Sequence, residues 1–168
     1  MKSRTNGSPA SEAGHIAEQL YRAFYGSAWH GPSVLELLEE VDAATAAAKP
    51  VRNVHSIWEL VLHIAVWDNA ARRRIMGVKT QPEGKQNFPP APQNGKATNT
   101  AAWRKAVTEL KRTHDKLVRT VAALPDSQLR GRVPGKRYNI AFMLHGVVQH
   151  ELYHAGQIAI LKKVQTAA

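Results

Sequence analysis

Length and composition exclude several classes of protein. The chain has 168 residues, which is typical of one domain with a real core. It contains no cysteine, so disulfides, cysteine-ligated zinc and a cysteine nucleophile are excluded. The formal net charge of +10 would attract anions, but the basic residues are scattered and no aromatic residues interleave with them. We therefore do not favour a nucleic-acid-binding protein.

The two ends and the apolar stretches predict where the chain folds and resides. We expect residues 1–10 to be a flexible tail and residues 11–168 to form a single helical domain, because the first ten residues are polar. These residues lack the apolar segment of a signal peptide. The longest apolar stretch, Ile57 to Trp67, is interrupted by polar residues and too short to cross a bilayer. We expect a cytoplasmic protein with no membrane partner.

Apolar spacing and capping signals predict helices through the first half of the chain. A first helix is predicted from about Ser11 to Ala28. Ser33, with glutamate three residues later, predicts a short helix, and Asp42 predicts another short turn. The same capping pattern at Ser56 opens a long second helix that ends near Met76. This half therefore contains two long helices with short ones between them.

A long connection and two more helices complete the predicted fold. Residues 77–99 are rich in proline, glycine and asparagine, which favours a crossover. A third helix starts near Thr100 and ends before Pro125, with apolar residues in steps of four and three. Asn139 is a credible cap for a fourth helix to about Lys163. The expected fold is all-α: a four-helix bundle with short extra helices after helix 1 and a long crossover between helices 2 and 3.

Histidines on two of these helices predict a metal site. His150 and His154 lie on an apolar side of the fourth helix, and a spacing of four lets two imidazoles reach one metal ion. A site needs a third ligand, and His63 on the second helix is the best candidate. The alternative for His63 is a hydrogen-bonded core histidine. His114, on the seam of the third helix, either lies near the site or packs elsewhere.

Residues 150–154 also match the zinc-protease signature. That signature needs a third ligand downstream, but no Asp, Glu or His follows His154. We therefore interpret the match as a coincidence of composition. Glu151 is a candidate catalytic base, and a packing or supporting role fits it equally well.

A second apolar stripe lies opposite the histidines on the fourth helix. It is formed by Ala141, Val148, Leu152, Ala155 and Ala159. One bundle core cannot use both sides fully. We expect this stripe to pack on another subunit or on an extra helix.

These features together resemble the DinB/YfiT-like superfamily over roughly residues 11–163. The resemblance rests on His63, on Ser56 to Leu60 before it, on Leu144 to Gly146 and on His150 to Ile158. It implies a four-helix bundle with a long connection between the second and third helices, one three-histidine metal site and frequent homodimers. Characterised members of that superfamily include bacillithiol and mycothiol S-transferases and a thiol-dependent isomerase, and others are described as metal-dependent hydrolases.

The expected function is therefore a metal-dependent thiol S-transferase or hydrolase acting on a small molecule. One divalent metal ion, Zn, Ni or Fe, would activate a low-molecular-weight thiol or water. Trp67, Tyr153 and Gln157 are tentative pocket residues, with core packing as the competing account of each. Basic residues near Arg72 could hold the carboxylates of a thiol. The alternative is a non-catalytic metal-binding or stress-associated protein, in which His114 could close the coordination.

Overall fold

The computed structural model describes residues 11–92 and 100–166. It contains the α-helices α1 (Glu12–Tyr25), α2 (Val34–Leu38), α3 (Ala43–Ala47), α4 (Ile57–Ile75), α5 (Gly84–Asn87), α6 (Thr100–Ala122), α7 (Asp126–Leu129) and α8 (Ile140–Thr166). No strand occurs in the described part of the chain, so the all-α prediction is confirmed. The predicted tail, 1–10, and residues 93–99 of the predicted crossover lie outside the described residues.

Local capping chemistry sets the helix boundaries. At both Ser33 and Ser56 the hydroxyl accepts from the third helical residue, and the glutamate there accepts from the serine main chain. Helix α1 ends at Tyr25, three residues earlier than predicted. The reason is Gly26, whose φ of 122° cannot continue a helix.

The four long helices form the bundle that the sequence predicts. Helix α1 packs against α6 and α8, and α4 packs against the same two helices. Helices α1 and α4 are therefore diagonal to each other, as are α6 and α8. Helix α4 thus contacts α8, which brings the predicted metal ligands onto neighbouring helices. None of the described helices is long and apolar enough to span a membrane.

The apolar core has two parts, here named the first and second core clusters. The first core cluster includes Trp58, Ile64, Leu110 and Ala155. The second core cluster includes Ala71, Leu117, Leu144 and Val148. Three buried polar residues, Asp68, His114 and Glu151, lie between these clusters along α4, α6 and α8. A polar layer therefore separates the two halves of the core.

The second apolar stripe of α8 is largely covered by the chain itself. Val148 and Ala155 are buried in the two core clusters, where α8 packs with α1 and α2. The centre of this stripe therefore packs on the bundle helix α1 as well as on the short extra helix α2. The exposed large apolar residues of α8 are instead Phe142, Tyr153, Ile160 and Val164.

Candidate metal centre

Three histidines converge between α4 and α8. His150 and His154 lie one turn apart on α8, and His63 reaches them from the middle of α4. The Nε2 atom of His150 lies 2.9 Å from Nε2 of His63 and 3.0 Å from Nε2 of His154. Because one nitrogen of each ring points to the same place, the three rings can act as one set of ligands.

Hydrogen bonds on the far side of two rings determine where their protons lie. His63 donates from Nδ1 to the main-chain oxygen of Asn87 at 2.7 Å, and His154 donates from Nδ1 to Oε1 of Gln157 at 2.6 Å. Both oxygens can only accept, so the proton of each neutral ring is on Nδ1 and its lone pair is on Nε2. Two lone pairs therefore face His150 Nε2, which has at most one proton to donate. A cation at this point would satisfy all three nitrogens.

Burial keeps these imidazoles neutral. Desolvation, with a smaller contribution from neighbouring histidines, lowers the pKa of His63 to about 4 and that of His150 to about 3. Desolvation also lowers the pKa of His154. Neutral imidazole is the form that binds metal ions. The residues present therefore fit a divalent ion of the kind that accepts nitrogen ligands, such as Zn, Ni or Fe.

The short helix α5 holds the His63 side of the site. Asn87 accepts from His63 through its main chain and from Trp67 Nε1 through its side chain, at 2.8 Å. The ring of Phe88 stacks on His63 with centroids 3.7 Å apart, and His55 stacks on Phe88 at 3.8 Å. The sequence predicts only a connection here, so Asn87 and Phe88 were not predicted as part of the site. A four-residue helix has no periodicity that could have revealed them.

The histidines open into a cavity of about 420 Å³. Trp67 and Tyr153 line this cavity, while Gln157 does not line it and instead holds His154. The arginine that lines this cavity is Arg74. Arg72, near which the sequence placed a carboxylate-binding group, borders a different pocket. Arg74 follows His63 by eleven residues, about three helical turns, so its position on the same face could have been inferred from the sequence.

A second cluster of ionisable side chains lies in the polar layer of the core. Nδ1 of His114 is 3.2 Å from Oδ2 of Asp68 and 3.1 Å from Oε1 of Glu151, and none of the three side chains is exposed. The ring of Phe24 stacks on the ring of His114, with centroids 3.9 Å apart. His114 is therefore held by carboxylates and does not join the three-histidine group, as a fourth ligand would have to do.

The pKa values in this second cluster are raised, whereas those of the three converging histidines are lowered. Burial alone would lower the pKa of His114, but attraction to Glu151 and the hydrogen bond to Asp68 raise it to about 10. Burial, together with repulsion from Asp68, raises the pKa of Glu151 to about 8 despite the attraction of His114. The two groups titrate as a coupled pair, and the pair holds a proton on His114 at neutral pH.

The position of Glu151 bears on its tentative role as a base. Its side chain is fully buried and does not line the cavity. This placement corresponds to the packing role rather than to contact with a substrate. Its partner Asp68 was missed, although a polar residue four positions after Ile64 on an apolar face is an informative signal.

Comparison with known proteins agrees with this arrangement. The family model of the DinB superfamily matches residues 28–158. No curated protein and no solved structure matches the chain. The matched segment covers more than half of the chain and includes His63, His150 and His154. The chain, with its helical bundle and its three converging histidines, belongs to the DinB superfamily.

Proposed function

We propose that this protein is a metal-dependent enzyme, a thiol S-transferase or a hydrolase, whose metal ligands are His63, His150 and His154. The observation that carries the proposal is the convergence of three Nε2 atoms at the wall of a cavity large enough for a small molecule. A ligand set buried away from any cavity would support storage or structure. Here the same rings face both the ion position and the space for a substrate.

The chain's own residues supply orientation and access. His63, His150 and His154 would hold a divalent ion as neutral imidazoles, and the bound ion would supply a thiol or water of lowered pKa as the nucleophile. Asn87 and Gln157 fix the two outer rings, so the Nε2 lone pairs remain directed inward. Trp67 and Tyr153 line the cavity beside the histidines, where they would contact a bound substrate. A thiol would have to be a separate small molecule, because the chain has no cysteine.

The non-catalytic alternative has less support. A closed site would need a fourth protein ligand, and the candidate for it, His114, is held by Asp68 and Glu151 instead. An open coordination position next to a cavity favours an enzyme. The small-molecule substrate, the homodimer, the single domain and the cytoplasmic location belong to the same proposal.

Metal content followed by a reaction screen tests the proposal. We expect untagged protein to hold about one divalent ion per chain. We expect His150→Ala to weaken metal affinity by more than about 100-fold, because a ligand should matter more than the groups supporting it. His145→Ala is the matched control, since His145 is an exposed histidine on the same helix. Wild type and the control should then turn over at least one pairing of a thiol with an electrophilic acceptor, or an ester.

The outcomes separate the alternatives. Equal metal content in His150→Ala and in wild type would contradict the ligand assignment. Metal loading that depends on His150, without turnover in either screen, would identify a metal-binding protein with no catalytic role.

A further inference from the structure

The cavity contains a buried positive charge with only neutral partners. Arg74 is 3% exposed and lines the cavity. Its Nε and Nη2 donate to the main-chain oxygen of Thr80 at 3.1 and 2.9 Å, and Nη2 also donates to Oε1 of Gln81 at 3.0 Å. These bonds fix the guanidinium in place. They do not neutralise it.

The rest of the guanidinium is available to a ligand. Nη1 has only the hydroxyl of Tyr138, at a long 3.5 Å, and the guanidinium carbon lies 5.3 Å from the centre of the Trp67 ring. Among the described residues Arg74 makes no salt bridge, and no aspartate or glutamate lines the cavity. A buried charge without a counter-ion is costly unless a partner arrives.

The charged end and the histidine end lie at different depths of the same cavity. The guanidinium carbon of Arg74 lies 5.3 Å from the centre of the Trp67 ring, and the centre of that ring lies 6.3 Å from that of His63. The Trp67 ring therefore lies between the charged end of the cavity and the histidine end. Mainly apolar side chains lie between them, including Ala71, Met143 and Val147. A ligand that reaches both ends must therefore extend along the Trp67 ring and be mainly apolar.

We propose that the cavity binds a small molecule with an apolar body and one terminal carboxylate, which pairs with Arg74 and Tyr138. A carboxylate fits because Nη1 can donate to one of its oxygens, the Tyr138 hydroxyl can donate to the other, and the guanidinium supplies the opposite charge. The other end of the molecule then lies at the three histidines. Only the reaction at that end rests on the proposed function, because binding at Arg74 requires neither a metal ion nor turnover.

Two fluorescent probes of similar shape test the charge preference. Anilinonaphthalene sulfonate has a compact apolar body with an anionic group, and N-phenyl-naphthylamine has the same rings without a charge. We expect the wild-type protein to bind the anionic probe about tenfold more tightly, and decanoate but not decanamide to displace it. We expect Arg74→Gln to remove this preference while the affinity for the neutral probe stays the same. Arg73→Gln, at the exposed neighbouring arginine, should change neither affinity.

Further measurements keep the test decisive. If Arg74→Gln does not fold, the wild-type affinities across a salt series decide, because only the anionic probe should weaken with ionic strength. Equal affinity for both probes, or no effect of salt on the anionic one, would overturn the proposal. A preference that survives Arg74→Gln but disappears in His150→Ala would overturn it too, because the anion would then be bound at the metal. Loss of metal or turnover without loss of the preference would count against the proposed function alone.

Discussion

His150 and Glu151 are neighbours in the sequence but belong to two ionisable clusters of opposite character. The three-histidine group faces a cavity, and burial lowers its pKa values. The cluster of Asp68, His114 and Glu151 faces neighbouring helices, and mutual attraction keeps a proton on His114. One step along a helix turns a side chain by about 100°, which is enough to change a ligand position into a core position.

This difference shows how one helix can separate function from stability. The histidine group gathers lone pairs that need a cation from outside the chain. The cluster of Asp68, His114 and Glu151 contains charges of both signs, which offset each other within the core. The predictions below test whether the two clusters can be disturbed independently.

The largest expected effect is on stability, from a change in the cluster of Asp68, His114 and Glu151. Glu151→Ala removes a partner of the buried His114 imidazolium and leaves a cavity, so the free energy of unfolding should fall by about 3–5 kcal/mol. His150→Ala should change it much less in metal-free protein. Urea denaturation of both variants measures the difference. Glu151→Gln, which keeps the shape, should cost only about 1 kcal/mol. Equal destabilisation by His150→Ala would show that the two clusters are one structural unit.

A smaller effect is expected on metal binding, from a residue that only supports a ligand. Gln157→Leu removes the acceptor of the His154 Nδ1 proton, so metal affinity should fall by about 10- to 100-fold. Competition with a chromogenic chelator measures this change. Gln149→Leu, at an exposed glutamine of the same helix, should leave the affinity unchanged. Full affinity in Gln157→Leu would show that the ring of His154 is oriented by packing alone.

The third expected effect, and the smallest when counted per pH unit, is the pH dependence of stability. The folded pKa values of His114 and Glu151 are raised to about 10 and about 8, so the folded state holds protons that the unfolded chain releases. Their stabilising contribution is complete below the unfolded pKa values and is lost as pH rises through the folded ones. Between pH 7 and pH 9 the free energy of unfolding should fall by about 1 kcal/mol per pH unit or more.

Denaturation of chelator-treated protein at several pH values checks this slope. The lowered pKa values of His63 and His150 act in the opposite sense, but only as pH falls below their unfolded values, so they do not interfere in this window. Glu151→Gln should reduce the slope between pH 7 and pH 8. A slope that is the same in both proteins would contradict the raised pKa of Glu151.

Much of the fold was predictable because its signals are local. Capping boxes at Ser33 and Ser56 place helix starts within a few residues, and the spacing of four between His150 and His154 does not depend on the rest of the fold. The pairing of His63 with them required an assumption about which helices are neighbours, which no local pattern indicates. The family resemblance supported that guess.

Other parts of the site depend on contacts that no local pattern encodes. Asn87 and Phe88 meet His63 only because the connection folds back over α4. The partners of His114 come from two other helices, so its seam position alone could not choose between the metal site and the core. Arg74 was different, since its face relative to His63 follows from helix geometry.

The polar layer also determines how far each helix can slide along its neighbours. The three side chains, Asp68, His114 and Glu151, are in contact at only one relative position of α4, α6 and α8 along their axes. A shift of one helix by one turn would separate their charges inside the core. Asp68 is five residues after His63, and Glu151 directly follows His150. The register that satisfies the buried charges is therefore the one that brings three imidazoles level with each other. The buried cluster of Asp68, His114 and Glu151 therefore holds the helices in the register that aligns the metal ligands.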